Sequence, residues 1–249
     1  MTLIDNSADP ARSGKPARSQ EPAHQHRDVS GGWLRPTVFG AMDGLVTNVS
    51  LIAGVGGGGL DRQRIILTGL AGLVAGAFSM ATGEYTSVAS QNELVRAEVE
   101  LERRELHRNP EREQRELAEA FVDKGVDPEL AHQVARQVSE DPDEALLLHA
   151  REELGVDPTE LPSPWVAAVS SFFSFSIGAV VPLLPFFAGV SVLWPALAIS
   201  AVTLFGAGAV VARLTNKPIW FGGLRQLALA VLAAGVTYGV GRGIGASVG

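Results

Sequence analysis

The sequence has no cysteine. That excludes a disulfide scaffold and any thiolate metal site, and it leaves the compartment open. Basic charge is not in excess either: 20 Lys and Arg stand against 27 Asp and Glu, for a net charge of −7. This balance argues against a nucleic-acid partner. The N-terminal stretch lacks an apolar core and a small-residue cleavage pattern, so no signal peptide is expected there. It carries Pro10, Pro16, Pro22 and scattered charges, and a disordered tail over residues 1–33 is expected. His24 and His26 in that tail read as inert side chains more readily than as metal ligands. Charge is missing over a long internal run as well. From Trp165 to Ala212 there are 48 residues without one Asp, Glu, Lys or Arg.

What is present is apolar and segmented. Hydrophobic residues make up 46% of the chain, bunched into segments of roughly 20, the length a helix needs to cross about 30 Å of hydrocarbon. The expected fold is an all-α integral membrane protein with five transmembrane helices and a cytosolic helical metal-binding insert between helices 2 and 3. Helices 1 and 2 fall in residues 34–88, with spans at about 36–55 and 65–85. The insert occupies 89–163. Helices 3 to 5 fall in 164–249: two within the charge-free run, turning near Pro185–Pro195, and a fifth at about 220–240. Five crossings put the termini on opposite sides. With the N-terminus inside and the insert discounted, the inner segments hold 8 Lys or Arg and the outer ones 3. The positive-inside rule then makes the N-terminus and the insert cytosolic.

The acidity is concentrated in that insert, which holds 20 Asp and Glu against 9 Lys and Arg from Thr86 to Ser163. A first helix is expected to continue out of the second span to about His107 and to break before Pro110. Shorter helices follow at about 111–124, 128–139 and 142–154. Asp127-Pro128, Asp141-Pro142 and Asp157-Pro158 each pair an N-cap carboxylate with a Pro suited to the first helical position. Leu117, Phe121, Leu130, Val134, Val138, Leu147, Leu148 and Leu154 are the expected core.

Glu98, Glu102 and Glu105 lie at i, i+4, i+7 and share one helical face. Glu113 and Glu116 form a second pair on the next helix, and hairpin packing would bring the two faces together. Such oxygen ligands suit divalent cations of the Mn and Fe(II) type. The competing reading is a solvated face neutralised by Arg103, Arg104, Arg108, Arg112 and Arg115. Spacing alone leaves both open. His149 and Glu153 form a ligand-capable i, i+4 pair. Glu129-x-x-His132 resembles half of a di-iron carboxylate site, but neither His107 nor His149 has a Glu three residues earlier. An enzyme is not expected.

The membrane carboxylates are more pointed. Asp43 sits roughly 10 Å into the first span, where an ionisable residue is costly and marks a functional site by default. Glu84 lies near the inner end of the second span, with Met80 one turn before it. Met42 and Met80, the two methionines beyond the initiator, both stand beside these acids. A thioether is a soft ligand that tolerates Fe(II) and adds nothing for Mg or Ca. Asp43, Met80 and Glu84 together make a candidate transport pathway. Gly69, Gly72 and Gly76, and also Gly235, Gly239 and Gly243, give small-residue faces for close helix packing.

Three stretches resemble the vacuolar iron transporter family: Met42-Asp43-Gly44-Leu45-Val46-Thr47, the segment from Ser79 to Gln91 around Gly83-Glu84-Tyr85, and the Glu-rich insert ending Glu152-Glu153-Leu154-Gly155. The likeness covers about residues 34 to 245. It implies a five-helix homodimer that exports Fe(II), and often Mn(II), from the cytosol in exchange for protons, with the path at the dimer interface. It places the first-span Asp at Asp43 and the second-span Met at Met80. The insert's metal ligands fall on Glu102, Glu105, Glu113, Glu116 and Glu153. Some members carry a Met-Met pair where this chain has His149 and Ala150, so His149 is a candidate replacement ligand. The substrate implied is Fe2+ or Mn2+, with no organic cofactor. The membrane is the plasma membrane in a prokaryote and a vacuolar-type membrane in a eukaryote. The alternative is a membrane-anchored metal buffer or sensor without flux.

Overall fold

The computed structural model describes residues 32–248, and the expected tail with His24 and His26 lies outside them save for its last two residues. The described residues form α1 (Leu34–Gly57), α2 (Arg62–Arg108), α3 (Pro110–Asp123), α4 (Pro128–Val138), α5 (Pro142–Glu153), α6 (Pro164–Val180), α7 (Leu184–Phe187), α8 (Trp194–Leu214) and α9 (Ile219–Val248). A single 3-10 turn, Val181–Leu183, joins α6 to α7. Among the described residues, five helical segments are long and apolar enough to cross a membrane: α1, α2, the α6–α7 unit, α8 and α9. The chain is an integral membrane protein by that measure.

Local chemistry explains most of the boundaries. Gly59, at φ 78°, closes the turn after α1, and the Asp61 side chain then caps α2 by accepting from Arg64 N. α2 runs 47 residues without a break, because nothing from Arg62 to Arg108 is a Pro. Asn109-Pro110 ends it and Pro110 opens α3. Asp127 and Asp141 cap α4 and α5 as expected. Asp157-Pro158 does not start a helix. Asp157 instead accepts from Thr159 N and Thr159 Oγ1 and pairs with Arg151, closing a turn. Pro162 and Pro164 follow too soon for a helix to propagate, and α6 starts at Pro164 behind a Ser163 cap. The fifth membrane helix also departs from expectation. α9 continues to Val248, so Arg242 sits in its last turns and not in a loop.

α1 lies at the centre, packed on α6 and α9, with α2 against α6 and α8 against α9. Glycines set the closest approaches. A Cβ at Gly44 would strike the Phe175 backbone, and one at Gly178 the backbone of Ala41. The Gly69, Gly72 and Gly76 face of α2 receives Leu183, Leu51 and Phe175 as knobs. On α9 the close approach is made by Gly241 and Gly245 against Gly54 and Gly58, whereas a Cβ at Gly235 or Gly239 would meet nothing within 4 Å among the described residues.

The polar unit α3–α5 packs on the distal part of α2. Its core is smaller than expected: Leu117, Ala118 and Ala135 are buried, with Phe121, Val138 and Leu148 against them. Leu130 and Leu154 are exposed, and Leu146 is buried where Leu147 was the candidate. Ala118, Ala131, Ala135, Ala145 and Ala150 are buried where the short helices meet. Asn92 Nδ2 donates to Pro162 O at 2.9 Å, tying the two strands of chain that enter and leave this unit. Trp33, Tyr85, Trp165 and Trp220 stand at the bundle end nearest it, and Tyr85 packs on Trp165 with centroids 4.9 Å apart. Aromatic rings gather where a bilayer meets water.

Candidate metal centre

Four side chains from three helices converge in the polar unit. α2 supplies Glu102, α3 supplies Glu113, and α5 supplies His149 and Glu153; one ligand atom from each lies within 4.8 Å of all the others. His149 and Glu113 are almost fully buried, at 1% and 2% exposure. His149 Nδ1 lies 2.9 Å from Glu153 Oε1 and 3.2 Å from Glu102 Oε1. At that approach Glu102 Oε1 makes no hydrogen bond, and His149 Nε2 is likewise buried without a partner. Unsatisfied polar atoms at such a depth are costly unless something occupies the space between them.

The electrostatics point the same way. Burial pushes the Glu102 carboxyl up to about 6; Glu153, Glu113 and Glu116 add to the rise, and His149 opposes it. Arg112 relieves one neighbour, donating to Glu113 Oε1 from Nε at 3.1 Å and from Nη2 at 2.8 Å. Three carboxylates and one imidazole make a mixed oxygen and nitrogen donor set, suited to a divalent first-row ion.

The remaining candidates of the insert sit at its edge. Glu105 is 3.7 Å from Arg112 Nη2 and accepts from Asn109 Nδ2 at 3.1 Å. Glu116 is exposed, close enough to raise the Glu102 carboxyl. Glu98 is exposed, one turn before Glu102 and outside the four-residue group. Glu129 and His132 are exposed on α4 and likewise outside it. Arg112, which faces the cluster from a different helix than Glu102, was named in the sequence only as one of five interleaved arginines. Its special place follows from the hairpin at Asn109, which no spacing rule foretells.

A second constellation lies in the membrane part. Asp43, Met80 and Glu84 line one open groove between α1 and α2 of about 340 Å³. Arg35, Phe39 and Thr47 complete its α1 side, Gly76, Ser79, Gly83 and Ser87 its α2 side, and Phe175 its back. The Thr47 hydroxyl donates to Asp43 Oδ1 at 3.4 Å. Arg35, which precedes the apolar span, places a cation at the mouth of the groove.

Comparison with known proteins adds a family to this geometry. The chain is 38% identical over 223 residues to a protein of Acanthamoeba castellanii named vacuolar iron transporter, covering 87% of this chain and 81% of the relative. It is 35% identical over 214 residues to vacuolar iron transporter homolog 1 of Oryza sativa subsp. japonica, covering 84% and 72%. Homolog 1 of Arabidopsis thaliana is 32% identical over 220 residues, covering 86% and 84%. The pattern of the VIT family matches residues 34–242, the five membrane helices and the acidic unit together. The chain belongs to the VIT family.

Proposed function

We propose that this protein transports Fe(II), and also Mn(II), out of the cytosol across its membrane in exchange for protons, with Asp43, Met80 and Glu84 on the path. The observation that carries this reading is α2 itself. One unbroken helix bears Met80 and Glu84 in the membrane groove and Glu102 in the metal centre. Glu84 and Glu102 are 18 residues apart, so about 27 Å of rigid helix separates the two sites. The names of the relatives support iron as the cargo.

In this reading the α3–α5 unit is cytosolic and collects or regulates, using Glu102, Glu105, Glu113, Glu116, His149 and Glu153, with Glu98 as an outer carboxylate. The groove conducts. Carboxylates accept either a divalent cation or protons, so the two ions compete for Asp43 and Glu84, and that competition suffices for antiport when access alternates. Met80 adds a soft donor that favours Fe(II) over Mg or Ca. The groove is open along one side, and a second copy of the chain would close it, as expected of a homodimer with its path at the interface. The N-terminus then faces the cytosol, in the plasma membrane of a prokaryote or a vacuolar-type membrane of a eukaryote.

Proteoliposomes with an imposed proton gradient and an entrapped metal-sensitive dye test this. The intact protein is expected to give gradient-driven uptake and Asp43→Ala to abolish it; normal transport by Asp43→Ala would remove Asp43 from the path. The buried, self-contained metal centre favours one second reading, a membrane-anchored buffer or sensor. That reading requires stoichiometric binding with no uptake under any gradient.

A further inference from the structure

The groove does not end at Asp43 in a wholly apolar wall. Asn48 lies five residues further along α1 and is 1% exposed. Its Nδ2 donates to the Ala179 carbonyl of α6 at 2.5 Å, which fixes the plane of the amide. The other terminal atom, Oδ1, is buried and accepts no hydrogen bond. A lone acceptor at that depth carries its full desolvation penalty.

This oxygen faces α2. A Cβ at Gly72 would lie 3.6 Å from Asn48 Oδ1. Gly72 is one turn before Gly76 in α2, and Gly76 and Thr47 line the groove. At the same level Leu51 covers Gly72, its Cδ2 lying 2.5 Å from where a Cβ would stand. The layer beyond the groove is thus an orphan amide oxygen beside an apolar plug.

We propose that Asn48 Oδ1 is the next ligand on the ion path, receiving a partly dehydrated divalent cation from Asp43 and Met80 when Leu51 leaves Gly72. The inference rests on the transporter reading. An amide oxygen suits the step, because a hard oxygen donor can take the place of one water ligand of the ion. The bond to Ala179 holds the oxygen in place, which spares the cation the cost of ordering it.

The competing role is a lock between α1 and α6, and the two roles order substitutions oppositely. Asn48→Asp keeps an oxygen and loses the donor to Ala179, leaving a buried charge. Asn48→Leu removes both polar groups and keeps the size. A lock tolerates Leu better than Asp, whereas a ligand tolerates Asp better than Leu. Full-length variants in proteoliposomes, with Mn(II) and then Fe(II) under a proton gradient, are compared per folded molecule by size exclusion and melting. Asn48→Leu is expected to melt normally, lose about tenfold in rate and raise the apparent KM, while Asn48→Asp stays within about threefold of the unaltered rate. Equal rates, the reverse order, or failure of both variants to fold would overturn the assignment. No uptake by the unaltered protein would sink the transporter reading itself, and the inference with it.

Discussion

At His149 a ring nitrogen lies between the carboxylates of Glu102 and Glu153. An imidazole must be neutral to bind a metal, and Glu102 must be ionised. Because the Glu102 carboxyl is raised to about 6, a cation has to displace its proton below that pH. Mn(II) affinity of the intact protein, measured calorimetrically, is therefore expected to be flat near neutrality. Below about pH 6 it should fall roughly tenfold per unit as Glu102 holds a proton. The metal-free stability runs the other way. A carboxyl whose folded value lies above its unfolded one binds more protons when folded, so this contribution is present at low pH and is lost as pH rises from the ordinary 4.5 to about 6. His149→Met replaces nitrogen with a softer thioether and is expected to weaken Mn(II) more than Fe(II); equal losses for the two metals would show that His149 is not a ligand. Arg35, a cation at the groove mouth, is expected to hold down cation occupancy. Arg35→Gln should lower the KM for Mn(II) transport a few-fold at low ionic strength, an effect that fades as salt screens the charge.

At the scale of elements, α2 is the rod that joins the two sites. Ala97 is exposed on it between Glu84 and Glu102. Ala97→Pro removes a helix hydrogen bond and costs about 3 kcal/mol or more in a helix interior. The metal centre, held by α2, α3 and α5, and the groove, held by α1, α2 and α6, would each survive a local kink. Metal binding is thus expected to persist while transport at low metal concentration falls; unchanged transport would show that the two sites act independently. Much of α2 was legible beforehand. Its apolar first half, its acidic second half and its end at Asn109-Pro110 all follow from local chemistry. The length of α9 was not, because nothing after Val240 stops a helix and only packing of Gly241 and Gly245 on Gly54 and Gly58 decides whether it continues. The absence of a helix after Asp157 came from Pro162 and Pro164, a conflict between a good local start signal and a stop placed too close to it.

For the whole molecule, the contact of Asn92 with Pro162 places the two ends of the polar unit side by side. Replacing residues 94–160 with a short flexible linker should leave the membrane bundle folded, since α1, α6, α8 and α9 make their close contacts without the unit. Such a protein is expected to transport at saturating metal with a raised KM. Loss of uptake at every metal concentration would instead make the unit part of the conducting path. Membrane character, the five spans, the helical insert and the candidate carboxylates were determined by the sequence alone. Segment length, charge exclusion from lipid and Asp or Pro capping act locally and leave plain marks in the chain. Only the tertiary structure decided which acids meet. Glu98, Glu102 and Glu105 share one helical face, yet the turn at Asn109 and the packing of α5 select Glu102 for the buried cluster. Arg112 claims Glu105 and Glu113 at its edge, and Glu98 stays outside. The choice depends on where three helices cross, a long-range property that periodicity along one helix does not encode.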